Sequence, residues 1–216
     1  MYAKFWKRFF DFTLSLLALI VLSPILLILT VVGAIAMRGN PFFVQARPGK
    51  IDKKTGKEKI FKLIKFRTMS NKRDKDGNLL PDAERLNGYG RFLRKTSLDE
   101  LGELVNIVKG DMAIVGPRPL LVAYLPRYSA RQRRRHEVRP GLTGYAQAYG
   151  RNSLTWEEKF EKDVYYVDNL SFWLDVKIIF KTISVVLKRE GITSDTSVTM
   201  EEFMGVEKEM KVINHE

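Results

Sequence analysis

Apolar residues fall along this chain in blocks of different period, and each block predicts a different element. The first runs uncharged from Phe12 to Met37. As one helix it would measure about 39 Å, enough to cross the hydrocarbon core of a bilayer. It is too long for the apolar region of a signal peptide, although Lys4, Lys7 and Arg8 precede it and Ala34-Ile35-Ala36 resembles a cleavage site. Pro24, near its centre, removes a backbone hydrogen bond, and Ser23 beside it can satisfy a freed carbonyl. Basic residues flank both ends, Arg38 following the run. Two topologies fit: a spanning helix, or a helix that bends at Ser23-Pro24 and returns to the face it entered from.

After Gly39-Asn40-Pro41 the pattern becomes polar. Phe42 to Val44 and Ile60 to Arg67, separated by the lysine-rich turn Lys53–Lys57, predict a β-hairpin whose second strand alternates apolar and basic residues. Lys62, with Lys65 or Arg67, would face solvent or an anion. Asn71 to Asp82 reads as a surface loop. Leu101, Leu104, Val105 and Val108 predict a helix ending at Lys109-Gly110, and Trp156, Phe160, Val164 and Val167 predict another, with Asp163 among its polar positions. Leu170 to Leu187 is amphipathic, suited either to a core or to a membrane interface. Past Gly191 the chain reads as a loosely held tail. The expected fold is mainly α with a small β-hairpin, divided into a membrane segment (1–38), a polar body (39–190), which the resemblance given below implies is the cytosolic catalytic domain, and a tail (191–216).

The chemistry concentrates at Thr96-Ser97-Leu98-Asp99-Glu100. Ser97 followed three residues later by Glu100 predicts a capping box. Asp99 is not required by the box. A carboxylate beside free helix-start amides occupies a place suited to phosphate chemistry, and Glu100 could cap the helix while Asp99 reacts. Downstream, Gly116-Pro117-Arg118-Pro119 presents a guanidinium from a stiff loop, suited to bidentate contact with phosphate or to an ordinary ion pair. Arg139-Pro140-Gly141-Leu142-Thr143-Gly144 and Gly150-Arg151-Asn152 read equally as turns or as places where backbone approaches a ligand. Gly88-Tyr89-Gly90-Arg91 lacks the features of a phosphate loop.

Charge narrows the partners. Lys and Arg number 37 against 25 Asp and Glu, a net charge of +12. This suits anionic partners: nucleic acid, lipid headgroups or a phosphorylated substrate. Arg131, Arg133, Arg134 and Arg135 form the densest basic cluster, which reads as a solvated or headgroup-facing surface. A nucleic-acid stripe would carry aromatic interleaving that is missing here. The chain has no Cys and two His, so a thiol nucleophile and a zinc site are excluded or nearly so. A metal here would be hard and held by carboxylate and phosphate oxygens, which points to magnesium.

In order, the central Ser-Pro, Gln45-Ala46-Arg47-Pro48-Gly49, Lys65-Phe66-Arg67-Thr68-Met69, Ser97-Leu98-Asp99-Glu100-Leu101, Val108-Lys109-Gly110-Asp111-Met112, Val115-Gly116-Pro117-Arg118-Pro119, Arg139-Pro140-Gly141-Leu142-Thr143-Gly144 and Gly150-Arg151-Asn152 resemble the bacterial sugar transferases. These are monotopic phosphoglycosyl transferases, and the size is that of the minimal members. The Lys53–Lys57 turn and Tyr145-Ala146-Gln147-Ala148-Tyr149 depart from the pattern. The resemblance implies transfer of a sugar-1-phosphate from a UDP-sugar to undecaprenyl phosphate with release of UMP, the first membrane step of glycoconjugate assembly. Asp99 would be the nucleophile and form a phosphosugar-aspartate, Glu100 would assist by deprotonation or orientation, and Mg2+ would bind near Asp99. Lys65, Arg118 and Asp163 would contact substrate. Ser23 and Pro24 would break a re-entrant helix in the bacterial inner membrane, with amphipathic helices at the interface and the catalytic domain on the cytoplasmic face. Partners would be membrane lipids and no nucleic acid, and a homodimer is compatible. The rival reading is a membrane-tethered basic protein binding nucleic acid or anionic lipid, which gives Asp99 and Glu100 no role.

Overall fold

The computed structural model describes residues 1–150, 154–187 and 202–205. The apolar N-terminus forms two helices rather than one. After a wider-wound turn (Tyr2–Trp6), α1 (Lys7–Val21) stops at Leu22, and α2 (Ser23–Met37) leaves at a bend of 65°. Pro24 lies in the first turn of α2, where a missing N–H costs nothing, so it starts a helix instead of kinking one. Ser23 Oγ donates to the Ile20 carbonyl at 2.7 Å and satisfies an end group of α1. Among the described residues no single helix is long and apolar enough to cross a membrane; the bent pair together is.

Strands β1 (Phe42–Ile51) and β2 (Glu58–Phe66) form the expected antiparallel hairpin, with Phe42 opposite Phe66 and Arg47 opposite Phe61. Phe61 and Leu63 point inward, and the period of two puts Lys65 in the same register. Two short helices follow the 71–82 loop, α3 (Asp82–Arg85) and α4 (Gly88–Thr96). A 3-10 turn (Leu98–Gly102) runs into α5 (Glu103–Lys109). Phe61 and Leu63 pack on Leu104, Ile107 and Met112, with Ala18 and Leu19 of α1 alongside. Leu29 of α2 joins Phe66 and Leu93.

Strand β3 (Ala113–Val115) pairs in parallel with β4 (Gly141–Thr143), a pairing the sequence pattern does not announce. It explains the glycines of the Arg139–Gly144 loop. A Cβ on Gly116 would lie 2.3 Å from the Arg139 carbonyl oxygen, and one on Gly141 would lie 2.1 Å from the Gly116 nitrogen. The two backbones approach each other there, not a ligand. The chain then passes through α6 (Ala130–Arg133), α7 (Tyr145–Ala148), α8 (Trp156–Asp168) and α9 (Phe172–Leu187). A capping box of Thr155 and Glu158 starts α8. Val115, Ala148, Tyr166 and Ile178 close a core between β3 and α9.

The N-terminal helix is wired to this core through polar groups. Lys7 Nζ and Tyr2 OH both reach Asp175 Oδ2, at 2.7 and 2.6 Å. Tyr166 OH donates to Asp175 Oδ1 at 2.7 Å, and Asp11 Oδ1 accepts from the Ile114 amide at 3.0 Å. Of the tail, Glu202–Gly205 is not loosely held: Phe203 is fully buried with Tyr124 and Phe160, worth roughly 1.5–3 kcal/mol for the side chain. The rest of 191–216 lies outside the described residues.

Candidate active site

Asp99 and Glu100 sit on the 3-10 turn between α4 and α5. Ser97 ends α4 in the left-handed conformation, φ 56°, and its side chain caps nothing. The expected capping box is therefore absent, because a residue at positive φ cannot take the extended geometry of an N-cap. Glu100 is free to point elsewhere, and it points at cations.

Close approach of this turn to β2 sets the site. A Cβ on Gly102 would lie 2.8 Å from the Ile64 carbonyl oxygen, so only glycine lets the turn lie against the strand. Asn106, buried, locks the same contact: its Nδ2 donates to the Lys62 carbonyl at 2.8 Å, and its Oδ1 accepts from the Ile64 amide at 3.0 Å. Lys65 is thereby delivered to Glu100 Oε1 at 3.0 Å and to Glu103 Oε1 at 2.8 Å. Arg118 Nη2 reaches the same Glu100 oxygen at 2.7 Å. Glu103 belongs to the site and was missed in the sequence, although it follows Glu100 by one helical turn.

The two adjacent carboxylates diverge electrostatically. Burial alone would raise Glu100, but Arg118 and Lys65 overcome it and hold its pKa at about 2. Asp99 makes no ion pair among the described residues, and burial, followed by the Glu100 charge, pushes its pKa up. Burial likewise raises Glu103 against the pull of Lys65. Glu100 and Glu103 match the two cations, which leaves Asp99 as the uncompensated acid. Such a divergence suits a pair of carboxylates to two different roles.

The Arg118 loop is held from behind. Arg135 Nη2 donates to the Arg118 carbonyl at 2.7 Å, and Arg47 Nη1 donates to the Pro119 carbonyl at 3.3 Å. Arg135 is buried and pairs with Asp163 Oδ2 at 2.8 Å. Asp163 is thus linked to the Arg118 loop through Arg135. The arginine cluster divides accordingly. Arg131, Arg133 and Arg134 form surface pairs with Glu161, Glu58 and Asp168, and Arg135 is interior. Gly88–Arg91 opens α4 and has no phosphate-loop geometry; Tyr89 OH donates to the Leu29 carbonyl at 2.9 Å. Of Gly150-Arg151-Asn152, the last two lie outside the described residues. Ser23 and Pro24 stand at the break of the helix pair.

The chain is similar to known proteins over most of its length. Residues 2–189 match the model of a family described as bacterial sugar transferase. An uncharacterized sugar transferase, EpsL, of Bacillus subtilis (strain 168) is 51% identical over 199 residues, covering 92% of this chain and 96% of its own length. A UDP-galactose-lipid carrier transferase of Erwinia amylovora is 38% identical over 88% of this chain and 42% of its own. An undecaprenyl-phosphate galactose phosphotransferase of Salmonella typhimurium is 36% identical, again over 88% of this chain and 42% of its own. The chain spans less than half the length of these last two relatives.

Proposed function

The chain belongs to the bacterial sugar transferase family, and on that premise we propose that it moves a sugar-1-phosphate from a UDP-sugar to undecaprenyl phosphate through a covalent intermediate on Asp99. The observation that carries this reading is the division of labour at the carboxylate pair. Glu100 is saturated by Lys65 and Arg118 while Asp99 beside it has no ion-pair partner among the described residues. The names of the Erwinia and Salmonella relatives support the donor and acceptor classes.

In the first step an Asp99 carboxylate oxygen attacks the sugar-linked phosphorus. The bond from that phosphorus to the bridging oxygen breaks, and UMP leaves with the electron pair. In the second, an oxygen of the lipid phosphate attacks the same phosphorus and Asp99 leaves as a carboxylate. One hard displacement becomes two easier ones. Lys65 and Arg118 stabilise charge on the transferred phosphoryl group. Glu100, with so low a pKa, is a poor base; it orients these two cations.

Among the described residues no group of three or more acidic or His side chains is placed to hold a metal by itself. Magnesium needs less: one or two carboxylates together with substrate phosphates suffice. Asp99, the carboxylate of this site that has no ion pair among the described residues, fits that role with the diphosphate. Bound there, Mg2+ would offset the charge that a diphosphate adds beside three acids.

The bent helix pair is read as re-entrant in the bacterial cell membrane, with the catalytic body on the cytoplasmic face. Phe9, Leu17, Ile20, Ile28 and Ile35 are exposed on the helix pair, and Phe172, Trp173 and Phe180 on α9. A soluble monomer rarely leaves so much apolar surface open, and aromatic residues suit the headgroup level. Arg131, Arg133 and Arg134 each pair with a carboxylate, which leaves less bare positive charge there for a nucleic-acid backbone. A screen of UMP release across a panel of UDP-sugars with undecaprenyl phosphate tests the proposal. Release with at least one sugar is expected, and none with any would overturn it.

A further inference from the structure

Phe203 fills a cage of Tyr124, Tyr128, Trp156 and Phe160. Its ring stacks on Tyr128 at 5.7 Å and meets Phe160 edge-on at 4.9 Å. Its amide donates to Tyr124 OH at 3.3 Å, Arg127 donates to its carbonyl, and Arg127 also pairs with Glu202 at 2.7 Å. The cage has a second tenant. The Arg135 guanidinium lies 5.8 Å from the Tyr128 ring centroid and 5.6 Å from that of Phe160, and donates to Tyr128 OH at 3.3 Å. The same guanidinium holds the Arg118 carbonyl. Tyr128 and Phe160 therefore stand between the C-terminal segment and the loop that carries Arg118.

We propose that Phe203 is a positioning residue: by filling the cage it fixes Tyr128 and Phe160 against Arg135, and Arg135 sets the backbone from which Arg118 reaches the reacting phosphate. Neither Phe203 nor Arg135 touches substrate. Packing of this kind is stiff because a protein interior has few voids, and a misplacement near 1 Å at a catalytic group costs on the order of 100-fold in rate.

The inference rests on the proposed role of Arg118, so the test is a double-mutant cycle read as UMP release by the full chain. Arg118→Ala alone reports on that role. Phe203→Ala alone is expected to lower the rate on the order of 10–100-fold. In the Arg118→Ala background Phe203→Ala should add nothing, since no guanidinium is left to misplace. A purely structural Phe203 would instead multiply the two losses. Additive losses, or a Phe203→Ala enzyme at full rate, overturn the inference. A silent Arg118→Ala would remove the Arg118 assignment first and the inference with it. Should Phe203→Ala fail to fold, Arg127→Ala loosens the same segment without opening a cavity and carries the same cycle, with the same outcomes deciding.

Discussion

Glu100 and Arg118 stand 18 residues apart in the chain and meet at 2.7 Å, Oε1 to Nη2. Arg118 gains from this contact a fixed position before substrate arrives, since a planar guanidinium loses little further freedom once held by a carboxylate. Such preorganisation is what a developing phosphoryl charge requires.

Removing that guanidinium should therefore be costly to the rate and cheap to the fold. Arg118→Ala is expected to lower UMP release on the order of 10–1000-fold. The side chain is part-exposed, so the melting transition should stay close to that of the parent. An unchanged rate would remove Arg118 from the site.

The pH dependence follows from Asp99. Burial and the Glu100 charge raise its pKa, and only the ionised form attacks, so the rate should fall as pH drops through that raised value. Glu100→Gln removes the neighbouring charge, lowers the Asp99 pKa and should move the acid limb of the pH–rate profile to lower pH, even as turnover drops. A limb that stays or moves upward contradicts this. For stability, a raised pKa favours the protonated folded state at low pH, and that contribution is lost as pH rises through the folded value. Asp99→Asn should accordingly melt higher than the parent at neutral pH while releasing no UMP.

Much of this was legible in the sequence, and the reasons are physical. The hairpin followed from alternation, and Lys65 shares the register of Phe61 and Leu63, so a strict reading of the strand already places it on the inner face. The Asp99-Glu100 pair stood out because no local rule required Asp99. The capping box failed because Ser97 takes a left-handed conformation that composition does not show. Parallel pairing of Ala113 with Gly141 joins segments with no shared local signal. Arg135 looked like its exposed neighbours, since burial of one arginine in four is decided by Asp163, far along the chain. Phe203 was a lone aromatic in a polar stretch, and its cage is assembled from two segments distant from it in the chain, Tyr124–Tyr128 and Trp156–Phe160.

Asp163 offers a clean separation of roles. Asp163→Asn leaves Arg135 buried without a counter-charge, which costs about 3–5 kcal/mol when one partner of such a pair is removed. Denaturant unfolding in detergent should show that loss. Undiminished stability with a changed KM for the UDP-sugar would instead make Asp163 a substrate contact.

The proposed re-entrant topology would put residues 1–8 and 40–190 on the cytoplasmic side. Single cysteines at Tyr2 and Asn71 should be equally shielded from an impermeant thiol reagent in intact cells. Labelling at one site only would mean a spanning segment. Pro24→Ala should straighten the pair and lower activity, and unchanged topology and rate would show that Ser23 and Leu22 hold the bend alone.

The covalent step is tested most directly by intact-protein mass spectrometry after brief exposure to a UDP-sugar and Mg2+ without lipid acceptor. The expected result is a mass increase of one phosphosugar, mapped to Asp99, absent in Asp99→Asn and accompanied by an equal amount of UMP. A protein that turns over with acceptor yet never gains this mass, and whose kinetics require both substrates bound together, would mean that the lipid phosphate attacks directly and that Asp99 is not the nucleophile.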